Sequence, residues 1–125
     1  LDLIEAQGLK IGLATSSPFT MVEAVLGKLG IRDRFMAVHS AEIERFGKPH
    51  PDVYIHAAEK LGVEPVQCLA IEDSFTGLLA AKAASMKALI VPDPALVGDP
   101  RLAIADHQLH SLAELDADML ARWVA

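Results

Sequence analysis

Residues 68–74 read Cys68-Leu69-Ala70-Ile71-Glu72-Asp73-Ser74. An apolar run leads directly into two adjacent carboxylates. Such a short run between turn signals predicts a fully buried strand. Ser74 and Gly77 then open a small-residue segment that reads as a helix over 78–85. Two carboxylates at the tip of a buried strand are costly unless something pairs with them. Mg²⁺, which prefers hard oxygen ligands, is a suitable partner. The plainer alternative is that Glu72 and Asp73 only cap the following helix and face water.

The flanking chain repeats this strand-then-helix pattern. Toward the N-terminus, residues 1–7 read as the end of a helix stopped by Gly8. A buried strand follows over 10–14, ending in Thr15-Ser16-Ser17-Pro18. Ser17 is a natural N-cap and Pro18 a natural first helical residue. Val22, Val25, Leu26 and Leu29 have the spacing of one buried helix face, and Gly30 ends that helix. A second strand is expected over 35–39. A polar loop over 40–50 follows, and Pro51 starts a helix with Tyr54, Ala57, Ala58 and Leu61 on its apolar face. Gly62 stops it. Beyond the central stretch, residues 87–91 form another β-rich run, and 106–109 a short edge strand. Ser111 with Glu114 is a capping-box pattern, placed before a last helix that includes Met119, Leu120 and Trp123. Alternating strands and helices predict an α/β fold with a parallel sheet and right-handed crossovers.

Composition narrows the function. The 125 residues are 52% hydrophobic and 22% charged, which suits one packed domain. Net charge is −6 without a basic cluster, which argues against a nucleic-acid partner. No apolar run approaches the roughly 20 residues of a membrane span. One cysteine, Cys68, excludes an internal disulfide, fits a reducing compartment and reads as a small core residue.

In an open parallel sheet, ligands bind beyond the carboxyl ends of the strands. Thr15 and Ser16, Lys48, and Glu72 with Asp73 all fall there. A hydroxyl with free backbone N–H groups at a helix start can cradle phosphate. A lysine suits a phosphoryl oxygen, and a carboxylate pair can hold Mg²⁺. Together they have the composition of a phosphoryl-transfer site. Each also has an ordinary structural role: Thr15 and Ser16 as turn residues, Lys48 as a solvated cation, Glu72 and Asp73 as caps. His50, beside two prolines, reads as a turn or cap residue. His39, His56, His107 and His110 are scattered without metal-ligand spacing. The glycine patterns of P-loops and dinucleotide-binding folds are absent.

These motifs resemble the haloacid dehalogenase-like superfamily. Thr15 at the end of KIGLATSS (10–17), Lys48 in GKPHPDVY (47–54) and Glu72-Asp73 in IEDSFTG (71–77) match three family motifs in order. The closest similarity is to its sugar-phosphate branch, which holds the 2-deoxyglucose-6-phosphate (hexitol) phosphatases and the β-phosphoglucomutases. The resemblance implies a three-layer, Rossmann-like core. It implies Mg²⁺-dependent hydrolysis of a sugar phosphate through an aspartyl-phosphate, in a cytoplasmic enzyme. On it, Thr15 and Ser16 bind the phosphoryl group and Lys48 pairs with nucleophile and phosphate. Asp73 binds Mg²⁺, with Glu72 a ligand directly or through water. The alternatives are a phosphomutase, a receiver-like signalling module and an inactive fragment. A receiver has its acidic pair first and its lysine last, the reverse of the order here.

One departure is large. The family's first motif, Asp-x-Asp-Gly, has no counterpart in these residues. In the family it lies on a central first strand, upstream of a helical cap. The sequence therefore reads as 1–125 of a single, N-terminally truncated core domain. The strands near Ile11 and Leu69 are expected to face each other across a gap. The monomeric chain alone is not expected to be a stable native-like domain or active. Its expected partners are a sugar phosphate and the missing N-terminal segment or an exchanged chain.

Overall fold

Gly30 and Gly62 adopt φ of 67° and 68° and end their helices in left-handed caps, as their positions predict. The computed structural model describes residues 1–124. The elements are α1 (Asp2–Ala6), β1 (Gly12–Thr15), α2 (Phe19–Leu29), β2 (Ala37–Ser40) and α3 (Asp52–Leu61). Then come β3 (Leu69–Glu72), α4 (Phe75–Ala83), β4 (Lys87–Ile90), β5 (His107–Gln108) and α5 (Ala117–Trp123). Short 3-10 turns fill several connections.

All strand pairing is parallel, in two groups: β1–β2 and β3–β4–β5. Among the described residues no ladder joins β1 to β3. That is the expected gap. Helix α3 packs against β1 and β2 and also touches α4, so it links the two groups. The main core gathers Val53, Tyr54 and Ala58 of α3 with Leu78, Ala80 and Ala81 of α4 and with Ala88 and Ile90 of β4. Ala14 of β1 packs against the same cluster. The small residues of α4 let its backbone approach the sheet, and fully buried Leu78 adds about 1.5–3 kcal/mol. A smaller cluster holds Val22, Leu26 and Val38.

Several local expectations are corrected. Helix α4 begins at Phe75, not Leu78, because the Ser74 hydroxyl accepts the Gly77 N–H at 3.1 Å as an N-cap. Ser17 does not cap α2. Pro18 is the capping residue, and the Phe19 N–H donates instead to Glu42 Oε2 at 2.8 Å. Val25 and Leu29 are exposed, since only Val22 and Leu26 reach Val38. Strand β3 is not buried on both faces: Ala70 and Glu72 are buried, whereas Ile71 on the opposite face is exposed. The Ser111–Glu114 capping box closes a 3-10 turn, and Asp116 caps α5. Cys68 is half-buried and immediately precedes β3, and burial pushes its thiol pKa up.

Candidate active site

The ends of β1 and β3 and the segment before α3 meet at one edge. At the end of β1, Thr15 Oγ1 accepts the Ser17 N–H at 3.0 Å, and the exposed Ser16 lies between them. The Ser40 hydroxyl, at the end of β2, donates to the Ser17 carbonyl at 2.6 Å. These bonds fix the turn after β1.

The second component is the Lys48 segment. A turn links the His50 N–H to the Gly47 carbonyl at 3.0 Å, and the Lys48–Pro49 peptide is cis. His50 Nδ1 accepts the Asp52 N–H at 3.4 Å, the capping role expected of it. Lys48 is turned inward. Its Nζ donates to Glu72 Oε1 at 2.6 Å and to the Ala14 carbonyl at 3.3 Å. One ammonium group thus spans the gap between β1 and β3. The same Nζ lies 5.0 Å from the centre of the Tyr54 ring.

Glu72 and Asp73 have different environments. Glu72 is 8% exposed, and its Oε1 also accepts the Tyr54 hydroxyl. Its Oε2 lies over Gly77, where a Cβ would come within 2.0 Å. Only glycine leaves room for the carboxylate here. Burial first, and then the Glu72 charge, push the Tyr54 phenol far above its ordinary pKa, so it stays a donor. Asp73 is exposed, and its carboxylate has no side-chain partner among the described residues.

The structure thus brings Lys48, Glu72 and the backbone beside Thr15 into direct contact. Asp73 stands next to them, uncommitted. An unpaired carboxylate beside a second one fits a hard cation such as Mg²⁺. Water or other groups must complete its oxygen shell.

This placement follows the order of a known family. A sequence model of haloacid dehalogenase-like hydrolases matches residues 1–85. The chain belongs to this family. Its relatives include hexitol phosphatase B of Escherichia coli (strain K12), 50% identical over 115 residues, which are 92% of this chain and 52% of that protein. A β-phosphoglucomutase structure from Clostridium difficile superposes with a TM-score of 0.83 at 28% identity, covering 97% of this chain and 51% of the other. A family hydrolase from Deinococcus radiodurans, solved with bound phosphate and sodium, gives 0.80 at 28% identity, covering 96% and 56%. The chain spans about half the length of the relatives it matches. The haloacid dehalogenase-like fold is therefore shared by nearly the whole chain.

Sequence reasoning missed two contributors. Tyr54 reads as one more apolar residue on α3, yet its hydroxyl anchors Glu72. The available signal was that a buried tyrosine needs a hydrogen-bond partner. Gly77 reads as a helix-opening residue, whereas its missing side chain makes room for that carboxylate.

Proposed function

We propose that this chain supplies the phosphate- and metal-binding part of a sugar-phosphate phosphatase. The observation that carries this reading is Lys48, whose Nζ bonds both Glu72 and the backbone next to Thr15 across the gap. A cation held there faces both the phosphoryl group and a nucleophile arriving between the strands. Thr15 and the Ser16 N–H bind phosphoryl oxygens, and Lys48 balances their charge. Asp73 would hold Mg²⁺ directly, with Glu72 a ligand directly or through water. The ion, when bound, neutralises charge on the transferring phosphate.

The nucleophile is an aspartate on a strand between β1 and β3, from a segment outside these 125 residues. Its carboxylate attacks phosphorus, the second aspartate of the same motif protonates the sugar oxygen as the P–O bond breaks, and that aspartate then takes a proton from the water that cleaves the aspartyl-phosphate, releasing phosphate and restoring the nucleophile. Two supports for that segment are the unpaired edges of β1 and β3 and the half-length match to relatives. Hexitol phosphatase B points to hexitol phosphates as substrates, and the resemblance to the sugar-phosphate branch adds hexose phosphates. A cytoplasmic enzyme fits the single cysteine. Among the described residues no helix is long and apolar enough to cross a membrane.

The test is phosphate release by the full-length protein from a panel of hexose and hexitol phosphates, with and without Mg²⁺. Mg²⁺-dependent release is expected, and no release from any sugar phosphate would overturn the reading. The likeness to β-phosphoglucomutase favours one second reading, a phosphomutase. Interconversion of glucose 1-phosphate and 6-phosphate without net phosphate release would select it.

A further inference from the structure

Away from the Lys48–Glu72 site, folding gathers side chains that the sequence scatters. His39 is the third residue of β2, Glu44 lies in the segment that follows, and His56 is on α3. His39 Nε2 and His56 Nδ1 each lie 2.5 Å from the same oxygen, Glu44 Oε1. All three ligand-type atoms lie within 4.8 Å of one another. The sequence shows no metal-ligand spacing among the histidines, because 17 residues and a change of element separate His39 from His56, and the fold alone brings this pair together.

The donor set is specific. Two imidazole nitrogens and one carboxylate oxygen match the three protein ligands of an open Zn²⁺ site, with the fourth position left for water. His39 and the Glu44 side chain are nearly enclosed, whereas the His56 side chain is 40% exposed. Two ligands are therefore fixed, and the third opens a route for an ion. A tetrahedral ion with ligands at about 2.0–2.1 Å holds them about 3.3 Å apart, so each 2.5 Å contact need open by only about 1 Å. Nitrogen donors disfavour Mg²⁺, which separates this cluster chemically from Glu72 and Asp73.

We propose that His39, Glu44 and His56 form a binding site for Zn²⁺, separate from the phosphate site. Glu44 precedes Lys48 by four residues in one segment. The ion therefore fastens the Lys48-bearing segment to β2 and α3. Affinity is below that of a structural zinc. Metal on Nε2 of His39 leaves the ring proton on Nδ1, which is buried and has no partner among the described residues. A missing outer partner of this kind weakens binding about 10- to 100-fold.

The test uses the full-length protein with Cys68→Ser, which removes the one thiol of these 125 residues, and with saturating Mg²⁺ to fill the carboxylate site. Co²⁺ serves as the coloured stand-in for Zn²⁺. Titration is expected to give the visible bands of tetrahedral Co²⁺ at one ion per chain, displaced by Zn²⁺. His56→Ala and Glu44→Ala should each weaken binding at least tenfold with unchanged circular dichroism. Absent bands, or equal affinity in parent and folded variants, would overturn the site and leave a hydrogen-bonded clamp. If both variants lose their circular dichroism, zinc protection of the exposed His56 ring from diethyl pyrocarbonate in the parent protein decides, where protection supports the site and unchanged modification overturns it. The readout is binding, so it is independent of whether the protein hydrolyses sugar phosphates.

Discussion

Lys48 Nζ lies 2.6 Å from Glu72 Oε1, and the two side chains are only 12% and 7% exposed. Removing one partner of so enclosed a pair leaves the other charge unpaired, which costs about 3–5 kcal/mol. Lys48→Met is therefore expected to lower unfolding stability by about 3 kcal/mol, the lower end, because Tyr54 still donates to Glu72. Phosphate release should fall at least a hundredfold. Urea denaturation and a phosphate assay on the full-length protein check both. Unchanged stability would mean that the pair is solvated.

Asp73 is the opposite case, exposed and without a side-chain partner among the described residues. Asp73→Asn should leave stability within about 0.5 kcal/mol, as surface changes usually do. The Mg²⁺ concentration for half-maximal phosphate release should rise at least tenfold. Thermal unfolding and an activity titration with Mg²⁺ separate the two effects. An unaltered Mg²⁺ requirement would remove Asp73 from the metal site.

Gly77 is a steric prediction. A Cβ there would sit 2.0 Å from Glu72 Oε2 and 2.1 Å from its carboxyl carbon. Helix propensity alone favours Gly77→Ala by about 1 kcal/mol. Overpacking costs about 1–3 kcal/mol, and the displaced carboxylate also strains its bonds to Lys48 and Tyr54. The net expectation is destabilisation by about 1–2 kcal/mol with reduced activity. A stabilised Gly77→Ala variant would mean that Glu72 moves aside freely.

The architecture was legible because its signals are local. Apolar runs mark β1, β3 and β4, and Gly30 and Gly62 take the αL caps that their positions predict. Thr15, Lys48, Glu72 and Asp73 were also legible, because strand-end placement needs only the element order. What stayed hidden depends on tertiary geometry. Glu42 caps α2 from across 23 residues, which leaves Ser17 without the role its own position suggests. Val25 and Leu29 follow the helical period, yet the two-stranded group behind α2 is too narrow to cover them. Nothing in the sequence near Glu44 announces His39 and His56.

Asp106 gives a pH prediction. Its Oδ2 accepts from Lys82 Nζ at 2.7 Å and from the Ala88 N–H at 2.8 Å, just before β5. Burial alone would raise its pKa, but these two donors outweigh burial and hold it below the ordinary 3.8. A depressed carboxylate contributes stability above its unfolded pKa and loses it as pH falls through the folded value. The stability gap between the parent protein and Asp106→Asn should thus be full at pH 6. It should shrink below about pH 4. At pH 6 it should be about 1 kcal/mol, since the pair is partly exposed. Unfolding curves at pH 6 and pH 3 check this, and a gap that grows at low pH would reverse the assigned shift.

Tyr54 tests whether Glu72 is held as a charged anchor. The phenol donates to the same Oε1 that Lys48 holds, and Glu72 is nearly buried. Tyr54→Phe keeps the ring, its packing in the core and its contact with the Lys48 ammonium. It removes only the donor. A hydrogen bond to a charged group contributes about 1.5–3 kcal/mol, and Lys48 remains to satisfy part of the carboxylate. The expected loss is therefore about 1.5 kcal/mol. Pairing Tyr54→Phe with Glu72→Gln in a double-mutant cycle measures the charge-dependent part of the bond, because both changes conserve volume and Gln keeps an acceptor oxygen. A coupling of about 1 kcal/mol or more is expected. If the two losses simply add, the phenol does not hold the Glu72 charge, and Lys48 is what fixes that carboxylate.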